Sequence, residues 1–201
     1  MGVVGTLHDR LVISRRIEVL ASWFSQLAPK GARILDVGCG DGLLSAQTCA
    51  KRPDLDIHGI DVLPRERSYI PVEIFDGSRI PFPDRSFDAV LFSDVLHHTE
   101  DATVLLREAH RVTRQCVLIK DHYRRGLVAS QRLRFMDWVG NARFGVALPY
   151  NYWTESQWEK AWSEIGLEPE ELIESLGLYS FPANLIFEAH LHFMARLKRA
   201  D

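Results

Sequence analysis

The chain has 201 residues, of which 46% are hydrophobic and 25% charged, and its formal net charge is -3. These values predict one globular domain over residues 1–201, and the slightly acidic balance gives no indication of a polyanion-binding protein. Three cysteines without metal-ligand spacing argue against a disulfide framework and favour free thiols in the cytoplasm. No apolar run approaches the ~20 residues of a membrane span.

The first segment, residues 1–30, is predicted to form one helix. Apolar side chains recur at helical spacing from Leu11 to Leu27, with arginine and glutamate on the other face, and Pro29 and Gly31 end the pattern. We expect this helix to pack on the edge of the domain.

Residues 31–122 alternate between strand and helix patterns. This alternation predicts a parallel sheet that is covered by helices on both faces. The predicted strands are Arg33–Val37, Leu55–Ile60, Val72–Phe75, Phe87–Phe92 and Cys116–Ile119, and the predicted helices between them are Leu43–Lys51 and Ala102–Arg114.

Residues 123–153 interrupt this alternation with a segment rich in arginine, aromatic residues and glycine. So long an interruption is typical of functional insertions, and we predict a lid over a ligand pocket. Residues 154–201 are expected to form a helix capped by Thr154 and then two strands, Glu170–Ser175 and His190–Lys198, paired antiparallel.

Polar residues stand where the predicted parallel strands end. The carboxyl ends of such strands meet at one edge of an open α/β sheet, where ligands bind. A single acid there would be interpreted as a turn or cap residue, but several at successive strand ends predict a site. These positions are Asp36, Asp61, Asp76, Ser93 and Asp121.

A glycine loop follows the first strand and reads DVGCGDG over residues 36–42. A dinucleotide fingerprint counted from Gly38 would need its third glycine at position 43, which is Leu43. This mismatch disfavours a nicotinamide oxidoreductase. An acid facing a glycine loop suits a cationic ligand, and glycines let that ligand approach the backbone closely.

Three motifs, in this order, resemble those of class I S-adenosylmethionine-dependent methyltransferases. Residues 34–42 resemble the first motif of the class. Residues 80–90, followed by residues 95–98, and residues 106–112 resemble the type 11 subgroup, which includes the ubiquinone and menaquinone methyltransferases. The resemblance implies a Rossmann-like α/β fold with a mostly parallel seven-stranded sheet and an antiparallel last strand. It also implies methyl transfer from S-adenosyl-L-methionine to a small-molecule acceptor.

The sequence departs from this family at one place. The family usually has a Pro-Gly-Gly turn before the fifth strand, whereas residues 111–116 run into the strand without a glycine. We therefore expect a tighter connection between helix and strand here, away from the cofactor site.

The resemblance assigns a cofactor role to the first loop. Asp36, Gly38 and Gly40, with Cys39 between the two glycines, would hold the methionyl part of S-adenosyl-L-methionine. The glycines would let the cofactor approach the loop, and the following helix N-terminus could hold its carboxylate.

The resemblance places the rest of the cofactor at later strand ends. Asp61, followed by Val62, would bind the ribose hydroxyls, and Asp76, before Gly77, would meet the adenine amino group. Ser93 would line the methyl-donor channel.

The acceptor side gives a less specific signal. A base is required only if the acceptor must lose a proton, and no metal site is expected. We predict catalytic roles for His98, His122 and Tyr152, choosing His98 over the adjacent His97 because the subgroup commonly has a histidine there. A packing role for His98 against the cofactor stays equally open. Further candidates are His97, Asp121 and Tyr150, and residues 123–153 would then be the acceptor lid.

Two other functions fit the same fold. An RNA-directed methyltransferase is disfavoured because no Asn-Pro-Pro-Tyr or Asp-Pro-Pro-Tyr run is present, so no nucleic-acid partner is expected. A non-catalytic protein is disfavoured by the intact acidic and glycine positions. The oligomeric state is open. Four arginines could contact phosphates but are interpreted instead as a solvated helix face, namely Arg124, Arg125, Arg132 and Arg134.

Overall fold

One sheet of seven strands forms the centre of this computed structural model, which describes residues 3–126, 128–141, 149–188 and 190–200. The strands are β1 (Arg33–Val37), β2 (Asp56–Asp61), β3 (Val72–Ile74), β4 (Phe87–Ser93), β5 (Thr113–His122), β6 (Leu167–Ile173) and β7 (His192–Arg199). Their order across the sheet is β3-β2-β1-β4-β5-β7-β6. The pairs from β3 to β5 are parallel, whereas β7 runs antiparallel to both β5 and β6. This confirms the predicted fold class.

Helices cover both faces of the sheet. They are α1 (Val3–Leu27), α2 (Leu43–Lys51), α3 (Ala102–Val112), α4 (Ala129–Asn141), α5 (Glu155–Ile165) and α6 (Asn184–Phe187). Side chains of β1 alternate between two cores, because Leu35 and Val37 pack with α3 and α5 whereas Ile34 packs with α1. Within the described residues, no helix is long and apolar enough to cross a bilayer.

The fifth strand extends further than the sequence predicts. The sequence predicts that this strand ends at Ile119, and that bound is wrong, since Lys120, Asp121 and His122 lie within β5 and are buried. The antiparallel strand β7 pairs with the whole segment, up to His122 opposite His192. Charged side chains are stable in this interior position because Lys120 pairs with Asp94 and the Asp121 carboxylate accepts from His97.

The connection before β5 is as tight as the missing glycine turn predicts. Helix α3 ends at Val112 and β5 begins at Thr113, with no residue between them. The Thr113 hydroxyl donates to the backbone carbonyl of Asp88 at 3.0 Å, which joins the start of β5 to β4. The Asp88 carboxylate accepts from the Arg33 N–H at 2.9 Å, so Asp88 has a structural role at this end of the sheet.

The C-terminal part begins with the helix that the capping pattern predicts. The Thr154 side chain accepts from the Gln157 N–H, and the Gln157 side chain accepts from the Thr154 N–H at 2.9 Å, which confirms the capping box. Strand β6 begins at Leu167, earlier than predicted, because the backbone turns directly from α5 into the strand. Strand β7 begins at His192, later than predicted.

The segment predicted to be a lid, residues 123–153, contains helix α4, and residues 142–148 lie outside the described residues. Where the structure describes this range, none of its residues belongs to the sheet. Helix α4 contacts α6, and its residues Ala129 and Leu133 are buried. The lid role itself stays a prediction.

Candidate functional site

The loop after β1 is held against β2 by hydrogen bonds. The Gly38 N–H donates to the carbonyl of Ile60 at 2.7 Å, and the Gly40 N–H donates to Asp61 Oδ2 at 2.7 Å. The other oxygen of Asp61 accepts from the Leu63 N–H at 2.8 Å. Asp61 therefore joins two neighbouring strand ends, and each carboxylate oxygen has a second lone pair that can accept from a ligand hydroxyl.

Two glycines in this loop have different steric surroundings. Gly38 and Gly40 both have left-handed backbone, with φ of 74° and 60°, which L side chains rarely adopt. A Cβ on Gly38 would lie 2.6 Å from Val95 Cγ2, so this glycine lets the turn after β4 pack against the loop. A Cβ on Gly40 would meet nothing within 4 Å, so open space lies beside the loop there.

Asp36 lies at the buried end of the same loop. The Ser45 hydroxyl donates to Asp36 Oδ2 at 2.6 Å. Burial raises the pKa of Asp36 to about 7, the Ser45 hydrogen bond opposes this rise, and the Asp61 carboxylate adds to it. Two neighbouring acids favour a cationic ligand, because a positive charge would relieve their repulsion.

The ends of β2 and β3 meet beside this loop. A Cβ on Gly77 would come within 3.1 Å of Val62 Cγ1, so the glycine lets the two turns approach each other. Val62 itself is 49% exposed. Asp76 lies at the surface, where the N–H groups of Arg79 and Ser78 donate to its Oδ1 and lower its pKa. An exposed apolar side chain and a carboxylate thus lie at neighbouring strand ends.

Cys39 and Ser93 are both half-buried. Cys39 Sγ lies 2.5 Å from the position that a Cβ on Gly59 would take, so this side chain packs over β2. Burial raises the pKa of the Cys39 thiol, and the charge of Asp36 adds to the rise, so the thiol stays protonated. Ser93 ends β4 and lies opposite Lys120 in the parallel pairing.

A buried ionic cluster lies at the ends of β4 and β5. Lys120 has no exposed surface, and its ammonium donates to the Asp94 carboxylate. Asp94 also accepts from Arg16 of α1 at 2.5 Å. Burial lowers the pKa of Lys120 to about 8, although Asp94 opposes this shift. Burial would raise the pKa of Asp94, but the charges of Arg16 and Lys120 hold it well below its usual range. These charges therefore neutralise one another.

Asp121 connects two histidines next to this cluster. His97 Nδ1 lies 2.7 Å from Asp121 Oδ1, and His122 Nδ1 lies 3.4 Å from the same oxygen. The Leu96 N–H donates to Asp121 Oδ2 at 3.1 Å and fixes the carboxylate. Burial would raise the pKa of Asp121, but His97 and His122 hold it below its usual range. An ionised carboxylate that accepts from His97 Nδ1 places the basic lone pair of a neutral imidazole at Nε2.

The three predicted catalytic residues, His98, His122 and Tyr152, lie around His97 and Asp121. Burial and a neighbouring lysine lower the pKa of His122 to about 4, so its ring is neutral. His98 is half-buried, with its ring centroid 4.1 Å from that of His97. Tyr152 is buried and stacks on His97 with a centroid distance of 5.3 Å. The structure brings all three together, but the ring bonded most closely to Asp121 is that of His97.

His97, Asp121 and His122 also have the composition of a metal-ligand set. Their ligand atoms lie within 4.8 Å of one another, and two imidazoles with a carboxylate suit a transition-metal ion. Both oxygens of Asp121 already accept from backbone N–H groups, however, those of Leu96 and His122. We interpret the three residues as a hydrogen-bonded acid–base group.

Three residues at the ionic cluster are not among the site residues that the sequence predicts, namely Asp94, Arg16 and His192. The strand-end pattern could have identified Asp94, which directly follows β4. Arg16 reaches Asp94 from 78 residues away, and His192 Nδ1 lies 3.3 Å from Lys120 Nζ across 72 residues. No local pattern indicates such distant contacts.

The sequence matches the methyltransferase-domain family over residues 12–172, which is most of its length. The sheet order, the acidic glycine loop and the row of polar strand ends agree with this match. The chain therefore belongs to the class I S-adenosylmethionine-dependent methyltransferase family. The assignment to the type 11 subgroup stays a prediction.

Named relatives share only part of their length with this chain. The 27-O-demethylrifamycin SV methyltransferase of Amycolatopsis mediterranei is 34% identical over 97 residues, which cover 42% of this chain and 35% of the relative. The fatty-acid O-methyltransferase of Mycolicibacterium smegmatis is 34% identical over 107 residues, covering 49% of this chain and 39% of the relative. The chain thus spans less than half the length of these relatives.

Solved structures confirm the fold over nearly the whole chain. A chain in the complex between the Haloferax volcanii Trm112 methyltransferase activator and a methyltransferase superposes with a TM-score of 0.71 at 15% identity. The superposition covers 96% of this chain and 93% of that one. At this identity the likeness concerns the fold alone.

Proposed function

We propose that the protein transfers the methyl group of S-adenosylmethionine to a small-molecule acceptor. This proposal rests on the first loop, where Asp61 accepts a hydrogen bond from the Gly40 N–H while open space remains beside that glycine. The neighbouring acids Asp36 and Asp61 suit a cofactor with two positive groups and a single carboxylate. The N-terminus of α2, directly after the loop, suits that carboxylate.

The other strand ends match the remaining parts of the cofactor. Asp61 would accept from the ribose hydroxyls through its second lone pairs. Val62 and Gly77 would flank the adenine ring, with the surface carboxylate of Asp76 near the amino group. Ser93, at the end of β4, would line the path of the methyl group.

On the acceptor side, we propose that His97 acts as the base with Asp121 as its partner. When bound, S-adenosylmethionine supplies an activated methyl group, so alignment and exclusion of water carry much of the catalysis. A hydroxyl or amine acceptor must also lose a proton. His97 Nε2 would take that proton while Asp121 holds the ring and stabilises the imidazolium. Tyr152, stacked on the ring, would fix its orientation.

A small-molecule acceptor agrees with the relatives, whose names identify a rifamycin and fatty acids. An RNA acceptor is less favoured because Arg125, one of the four arginines considered for phosphate contacts, pairs with Glu155 and Glu174 at 2.6 and 2.8 Å.

A cytoplasmic location is our proposal from the three free thiols.

Calorimetry with S-adenosylmethionine tests the proposal. We expect saturable binding by the purified protein and roughly 10- to 150-fold weaker binding by Asp61→Ala, which is the loss of a hydrogen bond to a charged group. Asp56→Ala, at the exposed start of the same strand, is the control and should bind normally. Labelled cofactor and a cell extract, followed by mass spectrometry of the product, would identify the acceptor. Absence of cofactor binding by the folded protein would contradict the proposal.

A further inference from the structure

Helix α4 carries a charged residue on its buried face. Ala129 and Leu133 of this face pack with Tyr152 and Leu191 in a small apolar cluster, and Met136 packs against the cluster. Arg132 is three residues after Ala129 and four before Met136, so it lies on the same side of the helix. It is half-buried, which contradicts its predicted place on a solvated face.

The guanidinium of Arg132 lacks partners at its sheltered nitrogens. Its Nε and one terminal nitrogen are screened from solvent and have no hydrogen-bond partner among the residues that the structure describes. An arginine side chain carries a positive charge and five N–H donors. Sheltered donors of a charged group are unfavourable when unpaired, and in native proteins they are satisfied by an ordered water, an ion or a ligand.

We infer that Arg132 binds an anionic group of the methyl acceptor, either a carboxylate or a phosphate. The planar guanidinium fork matches both of these anions through two parallel hydrogen bonds. The inference rests on the proposed function, since it assigns the acceptor of that same site.

The surroundings of Arg132 define the rest of the acceptor. The cluster on the same face of α4 is apolar, with tyrosine rings at positions 150 and 152. Tyr152 links this cluster to the proposed base, because it stacks on His97. The anion would therefore be held by the helix that packs against Tyr152, the residue that stacks on His97. The acceptor is an apolar molecule with an anionic group that is distinct from the atom to be methylated.

Binding of matched probes tests this inference. Decanoate, decyl phosphate and decanol each have ten carbons in one unbranched chain and differ in the head group. Each is titrated by calorimetry into the protein with and without S-adenosylhomocysteine. We expect at least one anion to bind about 10-fold or more tightly than decanol, as for a charge-assisted hydrogen bond. The two anions distinguish carboxylate from phosphate recognition.

Two variants with equal loss of charge separate recognition from general electrostatics. Arg132→Met should bind the preferred anion no better than decanol, whereas Arg107→Met, on the exposed side of α3, should retain the preference. Arg132→Lys should retain part of it, since lysine keeps the charge but loses the planar fork.

Thermal melting gives a second, independent readout. Removing an unpaired sheltered cation should raise the melting temperature of the free Arg132→Met protein, by about 2–4 °C. A residue with a purely structural role would lower it. Equal binding of anions and decanol, or an unchanged preference in Arg132→Met, would overturn the inference. If the protein binds S-adenosylmethionine and methylates an acceptor but shows no anion preference, only the Arg132 inference fails. If it does not bind the cofactor, the proposed function fails.

Discussion

At the scale of single residues, the mechanism that we propose depends on one carboxylate that is buried and yet ionised. Asp121 accepts from two histidine rings and two backbone N–H groups, those of Leu96 and His122. These donors hold the pKa of Asp121 low although burial would raise it. In the proposed mechanism, the carboxylate would therefore stabilise a positive charge on His97 during proton removal.

Replacing Asp121 by asparagine should slow methyl transfer without weakening cofactor binding. The amide keeps the shape of the side chain but cannot stabilise a protonated His97, so we expect turnover to fall about 10²- to 10⁴-fold. The pH profile should change as well, because the remaining activity would depend on the acceptor being deprotonated in solution. Single-turnover rates from pH 6 to 9 are the measurement, with Asp56→Asn as the control. Wild-type turnover in a folded Asp121→Asn protein would remove this residue from the mechanism.

At the scale of elements, the first loop depends on glycine for two separate reasons. Gly38 allows the turn after β4 to pack, since a Cβ there would collide with Val95. Gly40 leaves space for a ligand beside the loop. Gly38→Val should therefore destabilise the fold as well as abolish cofactor binding, so its effect on binding alone is difficult to isolate.

Gly40→Ala separates the two effects when it is compared with Gly31→Ala. Both glycines have left-handed φ, 60° and 63°, and both have open space around the Cβ position. Each substitution should cost about 1–2 kcal/mol of stability for the left-handed backbone. Only Gly40→Ala should weaken S-adenosylmethionine binding, because only its methyl group would enter the ligand space. Urea denaturation and calorimetry measure the two quantities, and equal cofactor affinities would place the cofactor elsewhere.

The segment 123–153 is predicted to close over the acceptor. Tyr152 packs against helix α4 and stacks on His97, so its substitution should affect both closure of the lid and the reaction. Tyr152→Phe should lower turnover or acceptor affinity while cofactor affinity stays nearly unchanged and serves as the internal control. Hydrogen exchange in the segment should slow when cofactor product and acceptor are both present. Normal turnover of the variant, together with full protection of the free protein, would show that the stretch is ordinary core.

At the scale of the whole molecule, buried histidines link stability to pH. Burial lowers the pKa of His122 to about 4 and that of His192 well below its usual range, and Lys120 adds to both shifts. As the pH falls, these histidines therefore become protonated at a higher pH in the unfolded chain than in the folded protein. Their contribution to stability is present above pH 6.5 and is lost as the pH falls through the folded value of about 4.

Melting temperatures measured between pH 7 and 4 should consequently fall, and His122→Asn should reduce the slope. For His122 the full effect is on the order of 3 kcal/mol. Asp36 has the opposite sign, because its pKa is raised to about 7, so its contribution to stability is lost as the pH rises through 7. Asp36→Asn should steepen the fall in melting temperature between pH 7 and 4, because the opposing contribution of Asp36 lies in the same window, and it should leave the profile above about pH 7 unchanged. Parallel curves for wild type and His122→Asn would contradict the buried-histidine explanation.

The sequence by itself determined the parallel core and the position of the acidic glycine loop. Strand and glycine patterns are local, and the carboxyl ends of parallel strands must meet at one edge, so the position of Asp36 and Asp61 follows from short-range signals. The fold class, the tight α3–β5 connection and the capping box at Thr154 follow in the same way.

Only the tertiary structure decided the side-chain cluster that we propose for the acceptor side. Two adjacent histidines are equivalent in sequence, and the direction of the turn after β4 brings His97 rather than His98 onto Asp121. The length of β5 was underestimated because its charged end is stabilised by Arg16 and by Asp94, which are distant in the chain. Sequence periodicity reports the preference of single residues for the interior. A buried charge, however, is stable only when a partner is present. The packing of other elements decides whether that partner is there.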